Sequence, residues 1–253
     1  MNFTSVSGKN WIFKNFNSSD VKEYSEKHSL SEIVAKLLSI RKKNIENIEL
    51  FLNPTIKNLL PNPSHLKDMD LAIDRSYQSI INNETLGIFG DYDVDGATST
   101  ALLKLYFLSL NQKIETYIPD RIKDGYGPSI DGFNKLKSLG AKVIFTVDCG
   151  TLSFEPIKKA QDGNLDIIVL DHHQSDLKIP NAHAVVNPNR YDDTSKLNYL
   201  CAAGVCFMFL VGLNKKLRDK NWFKLNEISE PNILNFLDLV SLGTVCDVVP
   251  LVG

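Results

Sequence analysis

Asp91, Asp93 and Asp95 alternate in the segment Gly90-Asp91-Tyr92-Asp93-Val94-Asp95-Gly96. Carboxylates crowded this closely repel one another unless cations neutralise them, so the pattern points first to a divalent-metal site. An EF-hand calcium loop shares the Asp-x-Asp-x-Asp-Gly opening, but its twelfth position needs a bidentate Glu and here is Leu102. It also needs a preceding helix, whereas Leu86-Gly87-Ile88-Phe89 reads as a short buried strand. A solvated acidic turn without metal is the remaining alternative. Residues 97–110 carry Ala101, Leu102, Leu105 and Leu108 at the spacing of a buried helix. The aspartates therefore end a strand, where open α/β sheets place their ligands.

Three later stretches repeat the arrangement of an acidic or histidine-bearing cluster beside an apolar run. They are Val147-Asp148-Cys149-Gly150, Leu170-Asp171-His172-His173, and Gly243-Thr244-Val245-Cys246-Asp247-Val248-Val249-Pro250. A lone buried Asp is usually a cap or a hydrogen-bond partner. Several such clusters are harder to explain that way, because each buried charge needs compensation. If the strands are parallel, their C-terminal ends share one edge and the clusters after strands converge.

The elements that must position them follow from periodicity. Short β-rich runs at 86–90, 114–118, 142–147, 166–170 and 184–187 alternate with helical segments at 97–110, 132–139 and 154–162. Residues 202–213 are apolar nearly all round and read as a buried helix, and a polar stretch at 214–219 leads to another helix over 230–242. Residues 1–85 read as helical, with a helix start at Ser29-Leu30-Ser31-Glu32, a short helix over 45–52 ended by Asn53-Pro54, and helical spacing again from Met69 to Ile81. The expected fold class is α/β: a parallel β-sheet flanked by helices over 86–253, preceded by a helical N-terminal region, 1–85, packed on it.

The 253 residues give ample length for a buried core, and 43% hydrophobic with 23% charged residues is an ordinary soluble composition. No apolar run reaches the roughly 18 residues of a membrane span, and the first residues lack an export signal. Cys149, Cys201, Cys206 and Cys246 form no Cys-x-x-Cys pair and sit among apolar residues, as reduced core thiols of a cytoplasmic protein do. A net charge of −2 neither advertises nor excludes nucleic-acid binding, since bound cations would supply positive charge locally.

Taken together and in order, the four motifs Gly90–Gly96, Val147–Gly150, Asp171–His173 and Gly243–Pro250 resemble motifs I to IV of the DHH phosphoesterases. Supporting stretches are 118–127, Val186-Asn187-Pro188, Ala202-Ala203-Gly204-Val205 and the N-terminal run from Ala35 through Phe51-Leu52-Asn53-Pro54 to Met69. The resemblance is strongest to bacterial single-stranded-DNA-specific exonucleases and covers nearly the whole chain. It implies a metal-dependent 5′→3′ exonuclease acting on single-stranded DNA in recombination and repair, with two Mn²⁺ or Mg²⁺ ions. Single-strand-binding protein and a helicase are the implied partners, and no membrane is. By the superfamily pattern Asp93 binds one metal, Asp95, His172 and Asp247 bind the other, and Asp148 bridges. His173 then faces substrate or supports a ligand, and Asp171 orients the histidines. Some relatives carry a His where this chain has Phe89, and Asp91 stands in as the replacement ligand. Such exonucleases continue into a second nucleic-acid-contacting domain (DHHA1) and an OB-type domain, and the chain, ending at Gly253, is expected to lack both.

The mixed Asp/His donor set suits Mn²⁺, with Mg²⁺ the alternative. Two such ions about 3.5–4 Å apart can activate water and hold attacking and leaving oxygens, so no Ser, Cys or Lys nucleophile is required. The cysteines beside Asp148 and Asp247 then serve packing. For phosphate, Arg121, Lys123 and Arg190 offer donors. Gly125 and Gly127 allow close backbone approach, Tyr126 can stack on a base, and the Gly204 region can present helix N-terminal amides to a terminal phosphate. Each of these is equally compatible with an ordinary loop residue. His28, His65 and His183 lie outside the clusters. Two other functions stay open: a phosphodiesterase or pyrophosphatase for oligonucleotides or small phosphates, and a metal-free scaffold binding DNA or replication proteins.

Overall fold

The strand runs Leu86–Gly90 and Val143–Val147 are buried at every residue, as expected where helices cover both faces of a parallel sheet. A computed structural model describes residues 2–41 and 47–252. In chain order the elements are β1 (Asn2–Thr4), β2 (Asn10–Ile12), α1 (Ser18–His28), α2 (Glu32–Arg41), α3 (Ile48–Leu52), α4 (Ile56–Leu59), α5 (Met69–Ile81), β3 (Leu86–Gly90) and α6 (Val94–Ser109). They continue with β4 (Ile114–Tyr117), α7 (Ile130–Ser138), β5 (Val143–Val147), α8 (Phe154–Asp162), β6 (Asp166–Leu170), β7 (Ala184–Val186), α9 (Ala202–Asp219), α10 (Trp222–Leu225) and α11 (Leu237–Cys246).

The chain divides into two compact units, Met1–Leu60 and Pro61–Gly253. In the first, β1 and β2 pair antiparallel. Val21, Tyr24, Ala35 and Leu38 form a small core joined by Leu30, Val34, Ile48 and Leu52. The expected helical N-terminal region thus opens with a hairpin, which three-residue strands are too short to announce by alternation. Ile45 and Glu46 of the expected second short helix lie outside the described residues.

In the second unit five parallel strands stand in the order β4-β3-β5-β6-β7. The helices α6, α9 and α5 cover one face, α7 and α8 the other. Phe89, Phe133, Leu136, Ile144, Ile157, Ile167 and Val169 make the core under α7 and α8. This unit starts at Pro61, earlier than the expected boundary at residue 85, because α5 buries Met69, Ala72, Ile73 and Ile80 and packs on β7 and α9. Two helix boundaries also differ. The stretch 214–219 continues α9, with Leu213, Asn214 and Leu217 buried, and the expected helix over 230–242 is a turn of 3₁₀ helix at Ile233–Phe236 followed by α11. Among the described residues no helix is long and apolar enough to cross a membrane.

Candidate metal centre

Register delivers the centre. Gly90 pairs with Val147, Val147 with Leu170, and Leu170 with Val186, so the four strands finish level. The residues that follow them, Asp91, Asp148, Asp171 and Asn187, therefore leave the sheet side by side. In the order β4-β3-β5 the connection from β3 runs to one side and the strands from β5 onward are added on the other, a switch point between the parallel β3 and β5 that opens the crevice where such sheets bind ligands. Asp91 and Asp148 flank that crevice.

The helix after β3 begins at Val94, three residues earlier than its apolar pattern indicates, because the Asp93 carboxylate accepts from Gly96 N at 2.9 Å and caps it. Asp95 then lies in the first turn, fully buried, and accepts from Ala202 N at 2.6 Å and Ala203 N at 2.9 Å. The N-terminus of α9 thus supports the Asp95 anion. Asp247, at the C-terminus of α11, reaches the centre because α11 packs closely on α6 and α9. Gly243 permits this: a Cβ there would lie 2.6 Å from Asp95 Oδ1 and 2.9 Å from Ala203 Cβ.

Three overlapping groups of donor atoms, each within 4.8 Å, result: Asp91, Asp93 and Asp148; Asp95, His172 and Asp247; and Asp148, His172 and His173. His172 Nε2 lies 3.4 Å from Asp148 Oδ1, 3.5 Å from Asp247 Oδ2 and 3.7 Å from Asp95 Oδ2. All six residues expected as metal ligands, Asp91, Asp93, Asp95, Asp148, His172 and Asp247, are therefore neighbours. Phe89 packs in the core against Tyr117 and Phe133, away from the donors.

The centre fits divalent cations. Asp91 Oδ1, both Asp148 carboxylate oxygens and His172 Nε2 are buried without a hydrogen-bond partner, a state that costs several kilocalories per mole unless a cation intervenes. Burial, then the charges of Asp95 and Asp93, push the Asp148 carboxyl up to about 10. Burial also raises Asp91 and Asp247. Asp148 further adopts a left-handed φ of 61°, a strain of the kind stored at functional sites.

Asp171 behaves oppositely. Its burial is outweighed by hydrogen bonds from His173 and Thr151, which take its carboxyl down to about 2. Oδ1 accepts from His172 N at 2.7 Å and lies 2.8 Å from His173 Nδ1, and Oδ2 accepts from Thr151 N at 3.0 Å. The Asp171 hydrogen bond raises His173 in turn. Asn187 donates to Thr151 Oγ1 and the His173 carbonyl, and Asn189 donates to the His172 carbonyl. These two asparagines, with Thr151, hold the histidine pair. Their only sequence signal was the Asn-Pro turn after β7.

Of the phosphate candidates, the centre gathers some and not others. Tyr126 Oη lies 3.4 Å from His173 Nε2, and the ring packs edge-on to Tyr92. The Arg121 guanidinium lies 5.4 Å from the Tyr92 ring centroid. Gly125, at φ +79°, lets the loop turn into Tyr126. Arg190 does not face substrate: it is buried, donating to Asp68 Oδ2 and the Val185 carbonyl at 2.6 and 2.5 Å and to both Asp192 oxygens. Its fork is spent on structure. Gly204 is buried against Leu200 with its backbone amide beside Cys201, and the amides of Ala202 and Ala203 ahead of it serve Asp95 and not a phosphate. Cys149 is buried with its thiol against the Val147 carbonyl, and Cys246, expected in the core, is exposed on α11.

Residues 85–244 match the model of the DHH family, N-terminal domain. The single-stranded-DNA-specific exonuclease RecJ of Salmonella typhimurium is 39% identical over 201 residues, which is 79% of this chain and 35% of that protein. RecJ of Bacillus subtilis is 33% identical over 95% of this chain and 29% of its own length. The chain thus spans about a third of the length of these relatives. A crystal structure of exonuclease RecJ bound to manganese aligns with a TM-score of 0.64 and 29% identity, over 77% of this chain and 46% of that one. RecJ from Thermus thermophilus in complex with Mn²⁺ shares the fold, with a TM-score of 0.70, 24% identity and 93% and 31% of the two chains aligned.

Proposed function

The chain belongs to the DHH family, and we propose that its sheet-edge centre holds two divalent cations, Mn²⁺ or Mg²⁺, and hydrolyses phosphodiester bonds of single-stranded DNA from the 5′ end. The observation that carries this reading is the set of buried, unpartnered donor atoms on Asp91, Asp148 and His172 within the three overlapping groups. Asp91 and Asp93 would serve one cation and Asp95, His172 and Asp247 the other, and Asp148, grouped with Asp91 and Asp93 and with its Oδ1 3.4 Å from His172 Nε2, would serve both. When bound, such cations supply an activated water and a clamp on the attacking and leaving oxygens of an in-line displacement. Asp171 holds the His173 ring and the backbone of both histidines in place. His173, exposed toward the rim, and Tyr126 beside it face the scissile phosphate, and Arg121 takes a neighbouring phosphate. Relatives named for single-stranded DNA support the substrate class. Work in recombination and repair in the cytoplasm, alongside single-strand-binding protein and a helicase, extends the same reading. A scaffold that has lost its metals is disfavoured because the full set of ligands is gathered.

The test is nucleotide release from 5′-labelled single-stranded DNA with Mn²⁺, comparing the chain with Asp148→Ala. Release by the parent and none by the variant is expected. If Mn²⁺ leaves the melting temperature of the parent unchanged and neither releases nucleotides, the metal centre itself is refuted.

A further inference from the structure

The loop after β4 is closed on itself in a way the catalytic reading does not require. Asp120 Oδ1 accepts from Ile122 N at 2.9 Å and Lys123 N at 3.0 Å, and Asp120 O accepts from Asp124 N at 2.8 Å. Asp124 Oδ2 returns the grip, accepting from Asp120 N at 2.8 Å and from Tyr117 Oη at 2.9 Å. Both aspartates are exposed, so five residues are clasped into a rigid turn by side chains that water could otherwise serve. The turn projects Arg121, Ile122 and Lys123 in sequence, and Ile122 is 94% exposed. Its base is anchored beside the metal centre, through Arg121 over Tyr92 and through Tyr126 against His173.

Ile122 is an apolar side chain held out in water between two cations, Arg121 and Lys123, beside the metal centre. It suits a polyanion whose bases are unstacked and available, which is single-stranded nucleic acid. We infer that the turn 120–124 is a strand guide: Arg121 and Lys123 contact successive backbone phosphates, and Ile122 packs against an unstacked base. A base-paired duplex hides its base faces by stacking, so the guide favours single strands. Asp120 and Asp124 are positioning residues that fix the turn's direction. The inference rests on the nuclease reading and adds to it the element that engages strand beyond the reacting phosphate.

The test uses the full chain in Mn²⁺ with phosphorothioate-linked single strands, a 20-mer and a dinucleotide, and measures Kd by fluorescence anisotropy for the parent, Ile122→Ser and Ile122→Leu. The ratio of 20-mer to dinucleotide affinity is expected to fall about tenfold in Ile122→Ser and to recover in Ile122→Leu. All three are expected to show the same Mn²⁺-induced rise in melting temperature. An unchanged ratio in Ile122→Ser overturns the guide, as does a parent that binds the dinucleotide and not the 20-mer. The latter leaves the metal centre standing, so the two failures are distinguishable. Equal loss on both lengths also overturns it, because the turn would then act on the centre and not on the strand.

Discussion

Arg190 and Asp148 are both buried charges near the C-terminal edge of the same sheet, and the chain treats them differently. Around Arg190 every charge meets its opposite: Asp68 and Asp192 take the guanidinium, and Lys67 closes on Asp192 at 2.6 Å. Although burial opposes it, the hydrogen bonds of Arg190 and Lys67 bring the Asp192 carboxyl down to about 2. Around Asp148 the neighbours are Asp91, Asp93, Asp95 and two histidines, with no Lys or Arg paired to any of these aspartates among the described residues. The same side chain is pushed up to about 10 there. One cluster is complete within the sequence. The other is arranged for positive charge that the chain does not supply, and that incompleteness separates a functional centre from a structural ion pair.

The comparison breaks most sharply at Asp148 itself. Asp148→Asn is expected to abolish Mn²⁺-dependent nucleotide release and the Mn²⁺-induced gain in melting temperature, while raising the melting temperature in EDTA by relieving repulsion. Calorimetry with and without Mn²⁺ checks the stability part. Arg190→Ala should do the reverse: a loss of about 3 kcal/mol of folding stability, from stranding Asp68 and Asp192, equal in EDTA and in Mn²⁺ by urea denaturation. Next in size, Asp171→Ala removes the acceptor that fixes His173 and the backbone of His172. Mn²⁺ affinity should fall about 10–100-fold, read by titration calorimetry.

The smallest effect is on pH. The folded-state pKa of Asp148 is raised, so its contribution to stability is full below its unfolded value near 3.9 and is lost as pH rises toward about 10. In EDTA, unfolding free energy should therefore decline between about pH 5 and pH 9, by at most about 1.4 kcal/mol per pH unit. Mn²⁺ should flatten that slope. Asp192, lowered to about 2, acts in the other window, and its contribution is lost only as pH falls below about 4. A decline in EDTA that Mn²⁺ leaves untouched would remove the distinction between the clusters.

What was legible in the sequence shares a physical basis. Buried parallel strands are continuous apolar runs, so β3, β5 and β6 stand out, and the residues after them are marked by the change to Asp and His. Residues whose roles depend on a partner far along the chain were not legible. Arg190 looks like a phosphate ligand until Asp68, 122 positions away, claims it. The amides before Gly204 look free until Asp95, 107 and 108 positions away, accepts from them. The hairpin at residues 2–12 is too short to carry a period, and α9 runs through a polar stretch because tertiary contacts bury Asn214 and Leu217.

By itself the sequence determined the α/β layout and the identity of the donors, because strand burial and side-chain type are local properties. Only the tertiary structure decided which charges are satisfied. Burial and charge compensation are set by what packs alongside, so the level strand ends, the approach of α11 at Gly243 and the closing of Arg190 had to be seen in the fold.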